Sequence, residues 1–90
     1  MQFGVTQAIR LHAWIDSALA KRLRETPLSE DMTLITEPDG ARLTATVNDS
    51  RELKWWLLSQ AGAIRVDAPA TLRQALIDSQ RKSLALHTEI

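Results

Sequence analysis

The sequence predicts an α+β sandwich in which a four-stranded antiparallel sheet carries helices on one face. Three observations predict it: alternating apolar and polar residues in four segments, helical spacing of apolar residues in three others, and their order along the chain. That order is strand, helix, strand, strand, helix, strand, helix. Two right-handed crossovers around a tight hairpin give a ferredoxin-like split β-α-β topology with sheet order 4-1-3-2 and an additional C-terminal helix.

The first predicted strand and helix lie next to each other in the N-terminal part of the chain. Residues 5–12 alternate between apolar and polar side chains, which predicts a half-buried strand. From Ala13 the apolar residues recur at three- and four-residue spacings, which predicts a helix that includes Trp14 and continues to Leu23. Pro27 is a stop signal, so a connecting loop is expected there.

A hairpin and a second helix are predicted in the middle of the chain. Strands at residues 32–37 and 41–47 flank the sequence Pro-Asp-Gly, whose Asp-Gly pair is typical of a tight hairpin turn. Asn48, Asp49 and Ser50 are N-cap candidates, and Asp49 with Glu52 has the spacing of a capping box, so the next helix is expected to begin there. Gly62 is expected to end it.

The last predicted elements are a short strand and a long helix. Within residues 63–67, Ile64 and Val66 are expected to face inward with Arg65 between them. Pro69 is well placed as an early helix residue, and apolar positions at helical spacing continue to Leu86.

The sheet face away from the helices is the main candidate site, since the helices can cover only one face. Arg10, Arg42 and Arg65 are predicted to project from three neighbouring strands on this face, with His12 and Thr44 beside them. Guanidinium groups offer planar bidentate donors that suit phosphate or carboxylate. The alternative is that exposed strand positions carry long charged side chains simply to prevent edge pairing.

The tryptophans are all assigned to helices. Trp55 and Trp56 are adjacent, so on a helix they point about 100° apart. Trp56 is therefore expected in the core and Trp55 at the surface, either lying along its own domain or anchoring an interface. With no aromatic residue expected on the open sheet face, the sequence argues against base stacking of the RNA-recognition kind.

Composition narrows the function classes. Eleven basic and eleven acidic residues cancel, which argues against a free-standing, non-specific nucleic-acid binder. The chain has no Cys, and His12 and His87 lack a partner at ligand spacing, so neither a metal site nor a cofactor is expected. Without a nucleophile elbow or a phosphate-binding glycine loop, an enzyme is not expected. No apolar run approaches ~20 residues, so a single cytoplasmic domain over residues 1–90, without membrane contact, is expected.

Several segments resemble one known family. Arg-Glu-Leu-Lys-Trp-Trp-Leu-Leu-Ser, then Ala-Ile-Arg-Val-Asp-Ala-Pro, then Leu-Arg-Gln-Ala-Leu are similar to the C-terminal extension domain, called WCX, of bacterial WYL-domain transcriptional regulators. That family has a Trp-Leu-Leu helix, a Val-x-Val-x-x-Pro strand and a closing helix. Two further segments are similar to upstream strands of the family, so the resemblance covers nearly the whole chain. The matching segments are residues 51–59, 63–69, 72–76, 8–12 and 40–47.

The resemblance implies a non-catalytic regulatory module of a DNA-binding transcriptional regulator that contributes to dimerisation and effector response. The implied partners are the WYL domain of the same or a partner subunit, a second copy in a homodimer, and single-stranded nucleic acid or another anionic effector. The helix-turn-helix and WYL domains would belong to a longer regulator. Two alternatives stay open: a stand-alone small-molecule-binding ferredoxin-like domain, and a purely structural oligomerisation module.

Overall fold

A four-stranded antiparallel sheet with helices against one face forms the fold, described for residues 7–88 by a computed structural model. The sheet order is β2-β3-β1-β4, so β1 and β3 are central. Fold class, element order and strand order are confirmed as predicted. The elements in chain order are β1 (Ala8–Asp16), α1 (Ser17–Glu25), β2 (Thr33–Glu37), β3 (Gly40–Asn48), α2 (Arg51–Ser59), β4 (Ile64–Ala68) and α3 (Ala70–Thr88).

The core lies between the two central strands and the helices. Alternate residues are fully buried at 11–15 of β1 and at 41–45 of β3, and the pattern continues with the half-buried Ile9 and Val47; this is the period-two pattern of a strand with one face covered. The side chains between them must therefore face away from the helices. The buried apolar residues are Leu11, Ala13 and Ile15 of β1, Ala41, Leu43 and Ala45 of β3, Val66 of β4, Leu19, Ala20 and Leu23 of α1, Leu57 of α2, and Leu72 and Leu76 of α3.

The first strand extends further than the sequence predicted. The expected strand ended at His12 and placed Trp14 in the helix, but β1 continues to Asp16. The reason is that Ile15 fits both patterns, since it continues the buried period-two side of β1 and also lies at helical spacing from Leu19. The helix begins only after Asp16, whose Oδ1 accepts a hydrogen bond from the Leu19 N–H at 2.8 Å and caps α1.

Other element ends also differ from the prediction. Residues 5–6, where the first strand was expected to begin, lie outside the described residues. Ser50, not Asp49, caps α2, because its Oγ accepts a hydrogen bond from the Leu53 N–H at 3.1 Å. Asp49 instead donates its own N–H to a backbone carbonyl just before β1, so it still belongs to the strand pairing. The last helix, α3, continues to Thr88.

Gly40 allows the two central strands to come close together at the end of β1. It is buried and pairs with Asp16. A Cβ atom at this position would overlap the carbonyl oxygen of Ile15 and would lie 3.0 Å from Cζ2 of Trp14. The Trp14 ring therefore lies against the bare backbone of Gly40.

Candidate functional site

The uncovered face of the sheet, which we call the open face, collects the residues that the sequence singled out. Arg10 and His12 of β1, Arg42 of β3 and Arg65 of β4 are all exposed, and Thr44 of β3 is half-buried. Each lies between residues of the same strand that are turned toward the helices. All five predicted residues therefore share one surface.

A row of four side chains crosses the open face from one edge to the other. Ile35 of β2 is opposite Arg42, Arg42 is opposite Trp14, and Trp14 is opposite Arg65. The guanidinium carbon of Arg65 lies 5.9 Å from the centroid of the Trp14 ring, a cation–π contact. Ile35 is 63% exposed. We call these four residues the Trp14 row; it places one aromatic ring between two arginines.

The Trp14 row corrects one conclusion drawn from the sequence. The open face was expected to have no aromatic residue because Trp14 was assigned to a helix, and that is wrong. A usable signal was present, since the alternation of residues 5–12 continues through Ala13 and Ile15. Extending that period would have put Trp14 beside His12 on the open face.

Each arginine of the predicted cluster already has an acidic partner. These ion pairs make the open face balanced in charge, rather than basic. The guanidinium groups are still accessible, and exposed pairs of this kind contribute only about 0–1 kcal/mol, so an anionic ligand can replace the carboxylate at little cost. The pairs are Arg10 with Asp31 at 2.9 Å, Arg42 with Glu37 at 3.0 Å, and Arg65 with Asp67 at 2.8 Å.

Asp31 fixes the corner of the open face next to Arg10. It lies in the loop before β2 and accepts hydrogen bonds from Ser29 Oγ at 2.6 Å, from the Thr46 N–H at 3.0 Å, from Thr46 Oγ1, and from Arg10 Nη1 at 2.9 Å. The hydrogen bond from Ser29, followed by those from Thr46 and the charge of Arg10, holds the pKa of Asp31 well below its ordinary value of 3.8. Through these hydrogen bonds the carboxylate joins the loop before β2 to β3 and β1.

Removing the charge of Asp31 is expected to lower stability in a pH-dependent way. Because the pKa of Asp31 is lower in the folded than in the unfolded chain, its ionisation stabilises the fold above pH ~4, and this contribution is lost as pH falls below that value. Asp31→Asn should therefore have a lower Tm than the wild type at neutral pH, with a gap that narrows under acid. Thermal unfolding followed by circular dichroism from pH ~7 to ~2 measures this gap, and a gap that does not change with pH would contradict it.

A second exposed apolar surface lies on the helices. Trp55 of α2 is 65% exposed, as the sequence predicted. Trp56, expected in the core, is only half-buried and packs against it, and the buried residue of α2 is Leu57. Leu58, one turn after Trp55, borders a groove with Ala61 and with Leu84 of α3, which is itself 64% exposed. We call this surface the helix groove.

Neither a group of metal-ligating side chains nor a membrane-spanning helix is present among residues 7–88. Within residues 7–88, no three His, Cys, Asp or Glu side chains come together in a group that could hold a metal ion. His12 lies on the open face, whereas Nδ1 of His87 is 2.8 Å from the Ser83 carbonyl oxygen at the end of α3. No helix in this range is long and apolar enough to cross a membrane.

Comparison with known families identifies the chain. The family model of the WCX domain matches residues 7–84. The match runs from just before β1 to the distal part of α3, and it includes every residue of the Trp14 row and all three arginine pairs. No curated protein matches the chain. Because the family model covers most of the sequence, the chain belongs to the WCX domain family.

Proposed function

We propose that the chain is a non-catalytic regulatory module of a DNA-binding WYL-type transcriptional regulator, where it contributes to dimerisation and to the response to an anionic effector. Membership of the WCX family supports the general part, since it is consistent with a regulatory module of such regulators. The observation that carries the proposed effector contact is the Trp14 row, in which an aromatic ring lies between Arg42 and Arg65.

The chemistry of the Trp14 row fits single-stranded nucleic acid as the effector class. A nucleobase can stack on an aromatic side chain, which is worth about 1–3 kcal/mol per base. A guanidinium on either side can donate paired N–H groups to the oxygens of the adjacent phosphates. Arg42 and Arg65 flank Trp14 on neighbouring strands, so one base and its two phosphates match the row in order.

The second candidate partner is the WYL domain of the same or a partner subunit. On the open face, Trp14 lies on a central strand and Ile35 on an edge strand, with the ion-paired Arg42 between them and the ion-paired Arg65 on the other side of Trp14. Aromatic and arginine side chains are enriched in protein interfaces and among the residues that dominate their binding energy, which supports a protein partner for this surface. The salt dependence of the affinity distinguishes the two candidates. The affinity for nucleic acid falls steeply as the salt concentration rises, whereas the affinity for a protein surface of balanced charge does not.

The helix groove is the surface that we propose for dimerisation. Trp55 is a large apolar side chain left mostly in water, three residues before Leu58 on α2, and Leu58 lines the groove together with Leu84. Tryptophan is enriched among the residues that dominate interface energies. The open face and the helix groove are on opposite layers of the sandwich, so an effector and a second subunit can bind together.

Replacing Arg10, Arg42 and Arg65 by Ala in a WYL-type regulator carrying this domain should abolish its effector response. The fold should survive, because the three ion pairs are exposed and contribute little to stability. A transcription reporter measures the response, and circular dichroism of the purified domain measures folding.

The matched control removes the same charge from the helices. Arg51, Arg81 and Lys82 are all exposed on α2 and α3, away from the open face. Their combined replacement by Ala should leave the effector response intact. Equal responses of the two triple variants would contradict the proposal.

A further inference from the structure

A small cavity lies between three elements on the helix side of β4. Its volume is about 190 Å³, and Leu57 of α2, Val66 of β4 and Leu76 of α3 form apolar walls. These three residues are at most 8% exposed, so the walls belong to the core. Arg65 of the Trp14 row also borders the cavity, at the edge strand that the two sites share.

Besides Arg65, the polar residues of the cavity belong to one stripe of α3. Arg73, Leu76, Ile77 and Gln80 follow the spacing i, i+3, i+4, i+7, so they lie on the same face of the helix. The two apolar residues are in the middle of this stripe, and the two polar residues are at its ends. A ligand in the cavity therefore meets apolar side chains in the centre and hydrogen-bonding groups at either end.

The volume limits the size of the ligand. An apolar cavity of ~150 Å³ can bind benzene, and the pockets that hold drug-sized molecules measure about 300–1,000 Å³. A cavity of about 190 Å³ therefore has room for one ring, or a branched aliphatic group, and a small polar head group.

The charge at the cavity points to an acidic head group. Two arginines border the cavity: Arg65 is paired with Asp67, whereas Arg73 forms no salt bridge with any of residues 7–88. A guanidinium without a carboxylate partner, next to apolar walls, is complementary to a carboxylate on an apolar body.

We propose that this cavity binds a small organic carboxylate with an aromatic or branched apolar body, its carboxylate held by Arg73. The proposal does not depend on the function of the open face. Because α2, β4 and α3 form the cavity only in the folded chain, the bound molecule would stabilise the fold by an amount that rises with the logarithm of its concentration once this exceeds its Kd.

Titration of the ¹⁵N-labelled chain with benzoate tests the proposal. Benzoate has the right size and charge, and a Kd of about 1 mM is expected for so small a ligand. Amide signals of residues 64–66 and 73–80 should shift. Benzyl alcohol, which keeps the ring without the charge, should bind more weakly at the same signals. Shifts at Arg10 and Arg42 in place of these, or no shifts, would overturn the proposal.

Two variants and one control assign the contacts. Arg73→Gln should weaken benzoate binding about fivefold, the upper end for an exposed ion pair, and should leave benzyl alcohol unaffected. Ile77→Trp should fill the cavity and abolish the binding of both. Arg81→Gln, which removes the same charge from an exposed position of α3, should change neither. Equal weakening of benzoate by Arg73→Gln and Arg81→Gln would show general charge attraction and overturn the assigned contact.

Discussion

Replacing Gly40 by Ala is expected to lower the free energy of unfolding by about 3 kcal/mol or more. The added methyl group would overlap the carbonyl oxygen of Ile15 and would lie 3.1 Å from the Cα of Asp16, both backbone atoms of the neighbouring central strand. It would also lie 3.0 Å from Cζ2 of Trp14. Backbone atoms in a paired strand cannot rotate away, so the strands must separate. A domain of this length is stable by only about 5–13 kcal/mol, which makes the loss a large fraction of the total.

Gly62→Ala is the matched control for this prediction. Gly62 has a φ of +88° and has no atom within 4 Å of a would-be Cβ, so the substitution meets backbone strain without a steric overlap. We expect a loss of about 1 kcal/mol. Urea unfolding followed by tryptophan fluorescence gives both values. Similar losses of unfolding free energy at the two glycines would show that close contact between the strands is not what requires glycine at position 40.

The architecture could be predicted because its strand signals were unambiguous at the centre of the sheet. In β3, Ala41, Leu43 and Ala45 alternate with polar residues and have no competing helical pattern. The boundary of β1 could not be settled in the same way, because Ile15 satisfies both periods. What decides the boundary is the cap that Asp16 provides for α1, together with the pairing of Asp16 with Gly40.

The sheet face on which the candidate site lies could be predicted from the sequence, but the ion pairing of its arginines could not. Alternation alone places Arg10, Arg42 and Arg65 on the open face, and it also puts Asp67 on the same side as Arg65. The partner of Arg10 is different, since Asp31 reaches it from a loop whose path depends on tertiary contacts. Strand alternation therefore predicts which arginines lie on the surface, but it does not predict that a carboxylate from a loop pairs with one of them.

Trp14→Ala is expected to weaken binding of a short oligothymidylate to the chain about tenfold or more, because one stacking surface is lost. Trp14→Phe retains a ring at the same position and should lose less. The Phe variant also keeps a ring against Gly40, so it separates loss of stacking from loss of packing. Fluorescence anisotropy of a labelled oligonucleotide at two salt concentrations gives the affinities and the number of phosphates contacted.

Trp55→Ala is the matched tryptophan substitution on the opposite layer of the sandwich. Trp55 is 65% exposed on α2 and takes no part in the Trp14 row. We expect this variant to bind the oligonucleotide normally and to shift the chain toward monomer in light scattering, whereas Trp14→Ala should leave the oligomeric state unchanged. If both variants lost oligonucleotide binding equally, stacking on Trp14 would not be its cause. If Trp14→Ala alone impaired docking to a WYL domain without changing oligonucleotide affinity, the open face would be an interdomain contact and the effector site would lie elsewhere.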